Sequence, residues 1–458
     1  MNDDIVWKLR KIVGSRYVLT SPEDLICYGY DAQHVEHRPE AVARPENAEQ
    51  IAELVRLANE LGIPLTPRGS GTGLSGGSVP AKGGVVVDLC RMNRILGIDR
   101  ENLLAIVEPG VVTADLHAAV EAVGLMYPPD PGSMKVSTIG GNVAENAGGL
   151  RAIKYGVTKD YLKALEGVTP TGEFFTAGAR TMKSVSGYDL VGLMCGSEGT
   201  LGIFTKIVLK LIPLPKHRRS VLASFSRLED AARAVSDIIS AGIMPATLEI
   251  MDNTTIRAVE EFKKLGLPVD AGALLLLEVD GAAAQVEEEA AAAISVMEKH
   301  GASDVQAASD AAERDRIWEG RRASLAALAR VRPTTVLEDA TVPRSRLAEM
   351  VAEVNSIAER YSLMIGTFGH AGDGNLHPTI LTDERDADEM ARVERAVEEV
   401  FQAALRLGGT VSGEHGIGFS KAHFLPMEMG PAAMGMMRSI KAALDPKGVL
   451  NPGKMFDA

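Results

Sequence analysis

Two segments in the C-terminal third carry the residues best suited to chemistry. GTFGHAGDGNLHPTI (366–380) holds His370 and His377, and VSGEHGIGFSKAHF (411–424) holds Glu414 and His415. The chain has only nine histidines, so this clustering carries weight. His370 and His377 are seven residues apart, but Gly372, Asp373 and Gly374 between them rule out a single helix. A strand–turn–strand hairpin would place both imidazoles on one side, because alternate residues of a strand share a face. Two imidazoles plus a carboxylate with open positions make a catalytic metal site, and the donor set suits Zn²⁺, Mn²⁺ or Fe²⁺. From residue type and spacing alone, each histidine could equally be a hydrogen-bonded core residue. His415 sits beside Glu414 and points elsewhere if the segment is extended. Imidazole titrates near neutrality, which makes His415 the candidate general base for a hydroxyl proton. The alternative is a turn histidine held between Gly413 and Gly416.

Glycine is the second signal. Of 46 glycines, 25 lie in residues 61–210 and nine more in 366–418. No Gly-X-Y period or low-complexity tract accompanies them, which excludes collagen and disorder. Concentrated glycine in an otherwise globular composition means backbone pressed close to something. PRGSGTGLSGGSVP (67–80) has five glycines within nine residues. Gly71, Gly73 and Gly76 match G-x-G-x-x-G, but that fingerprint needs a helix opening directly after it. Here Ser78, Val79, Pro80 and Gly83-Gly84 lead to a strand. Gly73, Ser75 and Gly77 match G-x-S-x-G, which also requires a helix. What remains is physical: successive backbone N–H groups form an anion-binding concavity, and Arg68 and the hydroxyls add charge and donors. A pyrophosphate is the expected anion. A second segment (130–162) is lined by small residues from Thr138 to Gly149, so a planar ring or ribityl chain could pass close by. A third (183–206) places Gly196, Gly199 and Gly202 near Glu198 and Thr200.

The rest of the sequence sets bounds. A net charge of −13 argues against a nucleic-acid partner. No apolar run approaches the ~18–20 residues of a membrane helix; the longest candidate, Ala273 to Leu277, reads as a buried strand. Met1 to Gly14 has no apolar core of a secretory signal, so a cytoplasmic location is expected. Cys27, Cys90 and Cys195 are odd in number and far apart, which gives no disulfide framework, zinc knuckle or iron–sulfur ligand set. Redox chemistry would therefore need a bound organic cofactor.

Short strands and helices must position these segments. Ile51, Leu54, Val55, Ala58 and Leu61 predict an amphipathic helix over 46–62, ended by Gly62. Strands are expected at 83–89 and 103–110, then a helix over 113–123 with Thr113 as N-cap and Gly124 at its end. Two strands joined by a Pro-Thr-Gly turn are expected over 162–175, and a long β-rich run up to Pro215. Pro213 to Lys216 marks a boundary. Beyond it come strands near 220–225, 246–251 and 273–279, with helices over 228–241 and 282–300. That order predicts a ferredoxin-like layer of helices on an antiparallel sheet. The acidic runs 287–289 and 383–389 read as solvated helix faces.

Together, the three glycine segments resemble the flavin-binding domain of the vanillyl-alcohol-oxidase superfamily, the FAD-binding type of p-cresol methylhydroxylase. The whole chain, from about Asp24 to Met455, is similar to its branch of glycolate oxidase flavoprotein subunits and D-lactate dehydrogenases. The resemblance implies an α+β fold, with a two-subdomain FAD-binding domain (1–215), a ferredoxin-like cap domain for substrate (216–410) and a C-terminal segment (411–458) returning to the first. It implies FAD contacts from Pro67, Arg68, Gly69, Ser70, Gly71, Thr72, Gly73, Ser75 and Gly76 at the pyrophosphate. Asp130, Pro131, Ser133, Thr138, Gly140, Gly141, Asn142, Ala144, Asn146, Gly148, Gly149 and Tyr155 would run along the ribityl chain and ring. Glu198, Gly199, Thr200 and Ile203 would lie near the adenine half, with Asn451 also in contact. Some relatives attach FAD through a histidine in the first loop; none lies between Arg68 and Pro80, so dissociable FAD is expected.

The resemblance further implies a divalent metal on His370, His377 and Glu414, with His415 and Arg321 as catalytic residues. Arg321 (in RIWEGRRASL) would bind the substrate carboxylate through its guanidinium fork; read otherwise, it is a surface helix arginine beside Arg322. The D-2-hydroxyglutarate enzymes of this group carry a lysine where Leu337 and Glu338 stand, and an asparagine where this chain has Pro378-Thr379. Both departures favour a monocarboxylate, D-lactate or glycolate. The expected activity is oxidation of a D-2-hydroxy acid to the 2-keto acid. Electrons would pass to an iron–sulfur subunit, an electron-transferring flavoprotein, or a quinone or cytochrome, and the chain could pair as a homodimer. The alternatives are a hydroxyglutarate-type dehydrogenase, an oxygen-using oxidase, a non-catalytic flavoprotein subunit or a hydrolase on Gly73–Gly77.

Overall fold

The computed structural model describes residues 1–33 and 36–456. The chain forms two compact units. One comprises Met1–Gly148, Val157–Leu214 and the residues from Glu414 onward; the other comprises Gly149–Gly156 and Pro215–Gly413.

The first unit contains two larger sheets. Four strands lie in the order Val18–Leu19, Ala41–Ala43, Val85–Asp88, Leu65–Arg68, with the last three parallel. The amphipathic helix runs Ala48–Leu61. The Asn47 side chain accepts from Gln50 N–H at its start, and Gly62 takes the left-handed conformation at its end. Its Ile51, Leu54, Val55 and Ala58 pack on Ala41, Ala43, Val85 and Val87. The second sheet is antiparallel, in the order Ile95–Asp99, Leu104–Val107, Ile203–Lys210, Leu162–Val168, Phe174–Gly178. The Pro-Thr-Gly turn joins the last two, with Gly172 at φ +87°.

Two local expectations need correction. The helix over Thr113–Glu121 is capped at Val112, not Thr113. Thr113 is buried, with its hydroxyl on the Ser137 carbonyl and accepting from Asn142 Nδ2 at 2.8 Å, so it cannot turn back on its own helix. The second glycine segment is not all loop. Ile139–Glu145 is a short helix, with Thr138 as N-cap accepting from Gly141 N–H.

The second unit is built on one antiparallel sheet of eight strands. The order is Ser303–Ala307, His217–Phe225, Ala273–Gly281, Thr247–Asp252, Met364–His370, Asn375–Thr382, Thr334–Leu337, with Ala340–Thr341 also pairing with Asn375–Thr382. The ferredoxin-like layer is its first half, and the histidine hairpin extends it. Helices cover both faces, which explains the unbroken run ALLLLEV in the Ala273–Gly281 strand. Leu274 and Leu276 join Ile256, Val259, Trp318 and Leu328 in one core, while Leu275 and Leu277 are buried on the other face, where the strand meets helices Leu228–Ser240 and Ala283–Lys299. Among the described residues, no helix is long and apolar enough to cross a membrane.

Leu276→Ala empties a site with no exposure at the centre of this sheet. The expected cost is about 2–5 kcal/mol, read as a lower urea midpoint for this unit. An unchanged midpoint would contradict the two-faced burial.

Candidate functional site

The glycine loop Gly69–Gly84 runs between strands Leu65–Arg68 and Val85–Asp88 and opens no helix. Together with the Ile139–Glu145 helix and the turn at Glu198 it walls a cleft. Ten of the residues expected to bind FAD line it: Pro67, Arg68, Gly69, Thr138, Gly140, Gly141, Ala144, Glu198, Gly199 and Ile203. Gly77, Ser78, Leu89, Pro109, Glu145, Gly202 and Phe204 complete the wall. Much of it is bare backbone. A Cβ on Gly69 would collide with Thr138 Oγ1, and one on Gly140 would lie 2.6 Å from Pro109 Cβ. These walls approach so closely that only glycine fits. The backbone lining, rich in N–H groups, suits a partly anionic cofactor.

Polar groups fasten the loops. Asp31 accepts from Gly76 N–H (2.8 Å) and Gln33 N–H (2.9 Å), and burial raises its pKa to about 6. Glu198, at φ +51°, accepts from the Ile417 and Gly418 amides at 2.7 and 2.6 Å. Asn451 donates to the carbonyls of Gly77 (2.9 Å) and Glu198 (2.6 Å). Lys454 donates to the Val79 carbonyl, and burial lowers its pKa to about 8. Burial likewise lowers the Arg68 pKa, and its guanidinium lies against Gly71.

Several expected contacts serve other purposes. Ser70 Oγ donates to the Val136 carbonyl at 2.6 Å, Thr200 Oγ1 to the Ser197 carbonyl, and Asn142 to Thr113. Asn146 caps the short helix in the left-handed conformation and accepts from Lys159 N–H. The Ser75 carbonyl accepts from the Phe419 and Ser420 amides. Gly71, Thr72, Gly73, Gly76, Asp130, Pro131 and Ser133 lie in the expected loops but not on the cleft wall. Gly148 packs against the Glu414 carboxylate, where an added Cβ would lie 2.8 Å from Oε2. Gly149 and Tyr155 belong to the second unit, and the Tyr155 hydroxyl donates to Asp280 (2.8 Å) beside the Lys154–Asp280 ion pair (2.6 Å). A cofactor role for Tyr155 must compete with that bond.

In the second unit, the hairpin Met364–His370/Asn375–Thr382 pairs His370 with Asn375 and Phe368 with His377. His370 and His377 therefore share a face, with ring centroids 5.1 Å apart and planes near perpendicular. His370 Nδ1 lies 2.8 Å from Glu249 Oε1. A carboxylate only accepts, so Nδ1 carries the proton and Nε2 presents its lone pair, as a metal ligand requires. The other Glu249 oxygen accepts from Arg321 Nε at 2.7 Å and lies 2.7 Å from Nη2. Arg321 ends the helix Ala311–Arg322, is buried, and stacks over Phe368 at 4.7 Å. It is not a surface arginine. Asp339 accepts from Ser412 Oγ at 2.9 Å nearby in the fold. Glu414 and His415 lie in the first unit, in a bend rather than an extended strand, and His415 Nε2 is 3.8 Å from Glu414 Oε1. The two side chains are thus not directed fully apart. Glu249 was not anticipated; its one sequence signal is a lone acid inside the apolar strand Thr247–Asp252.

A mixed flavin-type cleft and a separate antiparallel-sheet unit define a flavoprotein fold of the p-cresol methylhydroxylase type. The structure of that enzyme with substrate bound superposes with a TM-score of 0.81 at 19 % identity, covering 99 % of this chain and 96 % of the other. Residues 214–455 match the family described as FAD linked oxidases, C-terminal domain, and residues 39–178 match the FAD binding domain. The chain belongs to the FAD-linked oxidase family and is an FAD-linked oxidoreductase. It is 48 % identical over 454 residues to the glycolate oxidase subunit GlcD of Bacillus subtilis (99 % of this chain, 97 % of that protein). It is 41 % identical over 430 residues to the D-lactate dehydrogenase of Anaerostipes hadrus (91 % and 90 %).

Glu249→Ala would leave the buried Arg321 guanidinium without its carboxylate. The expected loss is about 3–5 kcal/mol, measured by chemical denaturation, with a smaller loss for Glu249→Gln. Equal stability of all three proteins would contradict the pairing.

Proposed function

We propose that the chain oxidises a D-2-hydroxy acid, D-lactate or glycolate in preference to a dicarboxylate, to the 2-keto acid and passes the electrons to a partner protein or carrier. The observation that carries this reading is the His370–Glu249–Arg321 array. It holds one imidazole with Nε2 presented and one guanidinium in a fixed orientation. Such a pair suits a metal-held oxygen next to a carboxylate, the two polar ends of a 2-hydroxy acid. The printed functions of the two relatives, glycolate oxidation and D-lactate dehydrogenation, agree with it.

FAD, when bound, supplies the hydride acceptor, and a divalent ion (Zn, Mn or Fe), when bound, supplies Lewis acidity at the α-oxygen. His370, His377 and Glu414 are the residues proposed to hold that ion. Glu249 and Nδ1 fix the His370 tautomer. Arg321 spends Nε and Nη2 on Glu249, which leaves its Nη1 edge to orient the substrate carboxylate. His415 accepts the hydroxyl proton at an imidazole nitrogen as the α-hydrogen departs. Strand Thr334–Leu337 puts Leu337 opposite Thr379, and neither side chain supplies a cation for a second carboxylate, which supports a monocarboxylate. The FAD is proposed to be dissociable. The described cysteines are unpaired, in keeping with a cytoplasmic setting and an external electron carrier.

The test is a substrate panel with a dye acceptor, with and without chelator. D-lactate or glycolate is expected to bleach the flavin, and L-lactate is not. His415→Ala is expected to stay yellow and lose about 10²–10⁴-fold in turnover. Metal removal is expected to abolish turnover, with recovery on re-addition. If no D-2-hydroxy acid bleaches the flavin, the substrate reading fails; full activity after metal stripping removes the metal. Peroxide release would mark an oxidase instead.

A further inference from the structure

Glu145 closes the short helix at the cleft, and no step above uses it. Glu145 is among the residues lining the cleft, and its Oε2 is buried with no hydrogen-bond partner in the protein. Glu198 faces the same two glycines. A Cβ on Gly77 would stand 2.5 Å from Glu145 Oε1 and 3.8 Å from Glu198 Oε2. One on Gly416 would collide with Glu145 Oε2 and stand 3.1 Å from Glu198 Oε1. Two carboxyls crowded this closely do not both ionise. Their partners decide which one does. Glu198 accepts two backbone N–H bonds, which favour the carboxylate. Glu145 has no such donors, and it sits at the C-terminal end of its helix, where negative charge is disfavoured.

We propose that Glu145 is kept as the neutral carboxylic acid and donates a hydrogen bond to an acceptor atom of FAD, as a positioning residue for the cofactor. The inference rests on the FAD reading. An ionised Glu145 would instead put a second negative charge in a cleft that must take a diphosphate.

The surrounding charges agree. Burial, then Glu198, then Asp31 push the Glu145 pKa well above the ordinary carboxylate range, and Lys454 opposes them. Burial raises the Glu198 pKa as well, but there the Ile417 and Gly418 amides, then Lys454 and Lys421, oppose it. As pH rises through the Glu145 pKa the acid loses its proton, the donor disappears and repulsion replaces it. FAD affinity should therefore fall on the alkaline side. Lys454, with its pKa near 8, would lose its positive charge in the same direction. A test must separate the two.

The experiment is titration of apoprotein with FAD, followed by flavin fluorescence, from pH 6 to 9.5. Wild type is expected to weaken about tenfold per pH unit above the transition, as release of one linked proton requires. Glu145→Gln, which keeps an N–H donor and cannot ionise, should bind FAD within about threefold of wild type at pH 6.5 and lose that decline. The same decline in wild type and Glu145→Gln would overturn the proposal and assign the effect to Lys454. If Glu145→Gln does not fold, infrared difference spectra of wild type decide. FAD loading should shift a protonated-carboxyl C=O band, and no such band would overturn the proposal. If the apoprotein takes up no FAD at any pH, the FAD reading itself fails. If FAD binds with a flat pH profile, only this inference does.

Discussion

The flavin-binding unit depends on one buried carboxylate. Glu198 sits in a left-handed turn and accepts the Ile417 and Gly418 amides, while its own carbonyl accepts from Asn451. Three distant stretches of chain thereby meet at one residue. The meeting is possible only because the neighbours have no Cβ. Gly418 packs against the Ser75 carbonyl, and Gly416 against Glu145. A charged group with two amide donors tolerates burial that an unpaired one would not. The glycine loop is consequently held from behind and not merely flexible, which is what a preorganised anion cradle needs.

The second unit solves a parallel problem with Glu249. Its carboxylate lies on the central sheet with no exposure and joins an imidazole from a hairpin to a guanidinium from a helix end. Each partner alone would be an expensive buried polar group. Together they fix the orientation of both. A sheet buried on both faces supplies the rigidity this geometry requires.

What the sequence made legible was local. The helix at Ala48–Leu61, the strand pair around the Pro-Thr-Gly turn and the histidine hairpin all follow from period and turn residues within a few positions. The glycine loops announced a cleft because backbone conformation is written in residue type. Contacts between distant residues were not legible. Glu249 and Arg321 are 72 residues apart, and Tyr155 and Asp280 are 125 apart. The Ile139–Glu145 helix was hidden by Gly140-Gly141, which disfavour helix locally, and is held by the Thr138 cap and the packing of Ile139 and Val143. Thr113 looked like a cap because its type fits; tertiary partners at Ser137 and Asn142 claimed it.

The reaction proposed for this chain is transfer of the α-hydrogen of a D-2-hydroxy acid to FAD. Its most direct test is anaerobic rapid mixing of the FAD-loaded protein with D-lactate carrying hydrogen or deuterium at the α-carbon. The expected result is bleaching of the flavin in a single turnover, slowed severalfold by deuterium and absent with L-lactate. Bleaching at the same rate with both isotopes, or none with either D-lactate or glycolate, would contradict it.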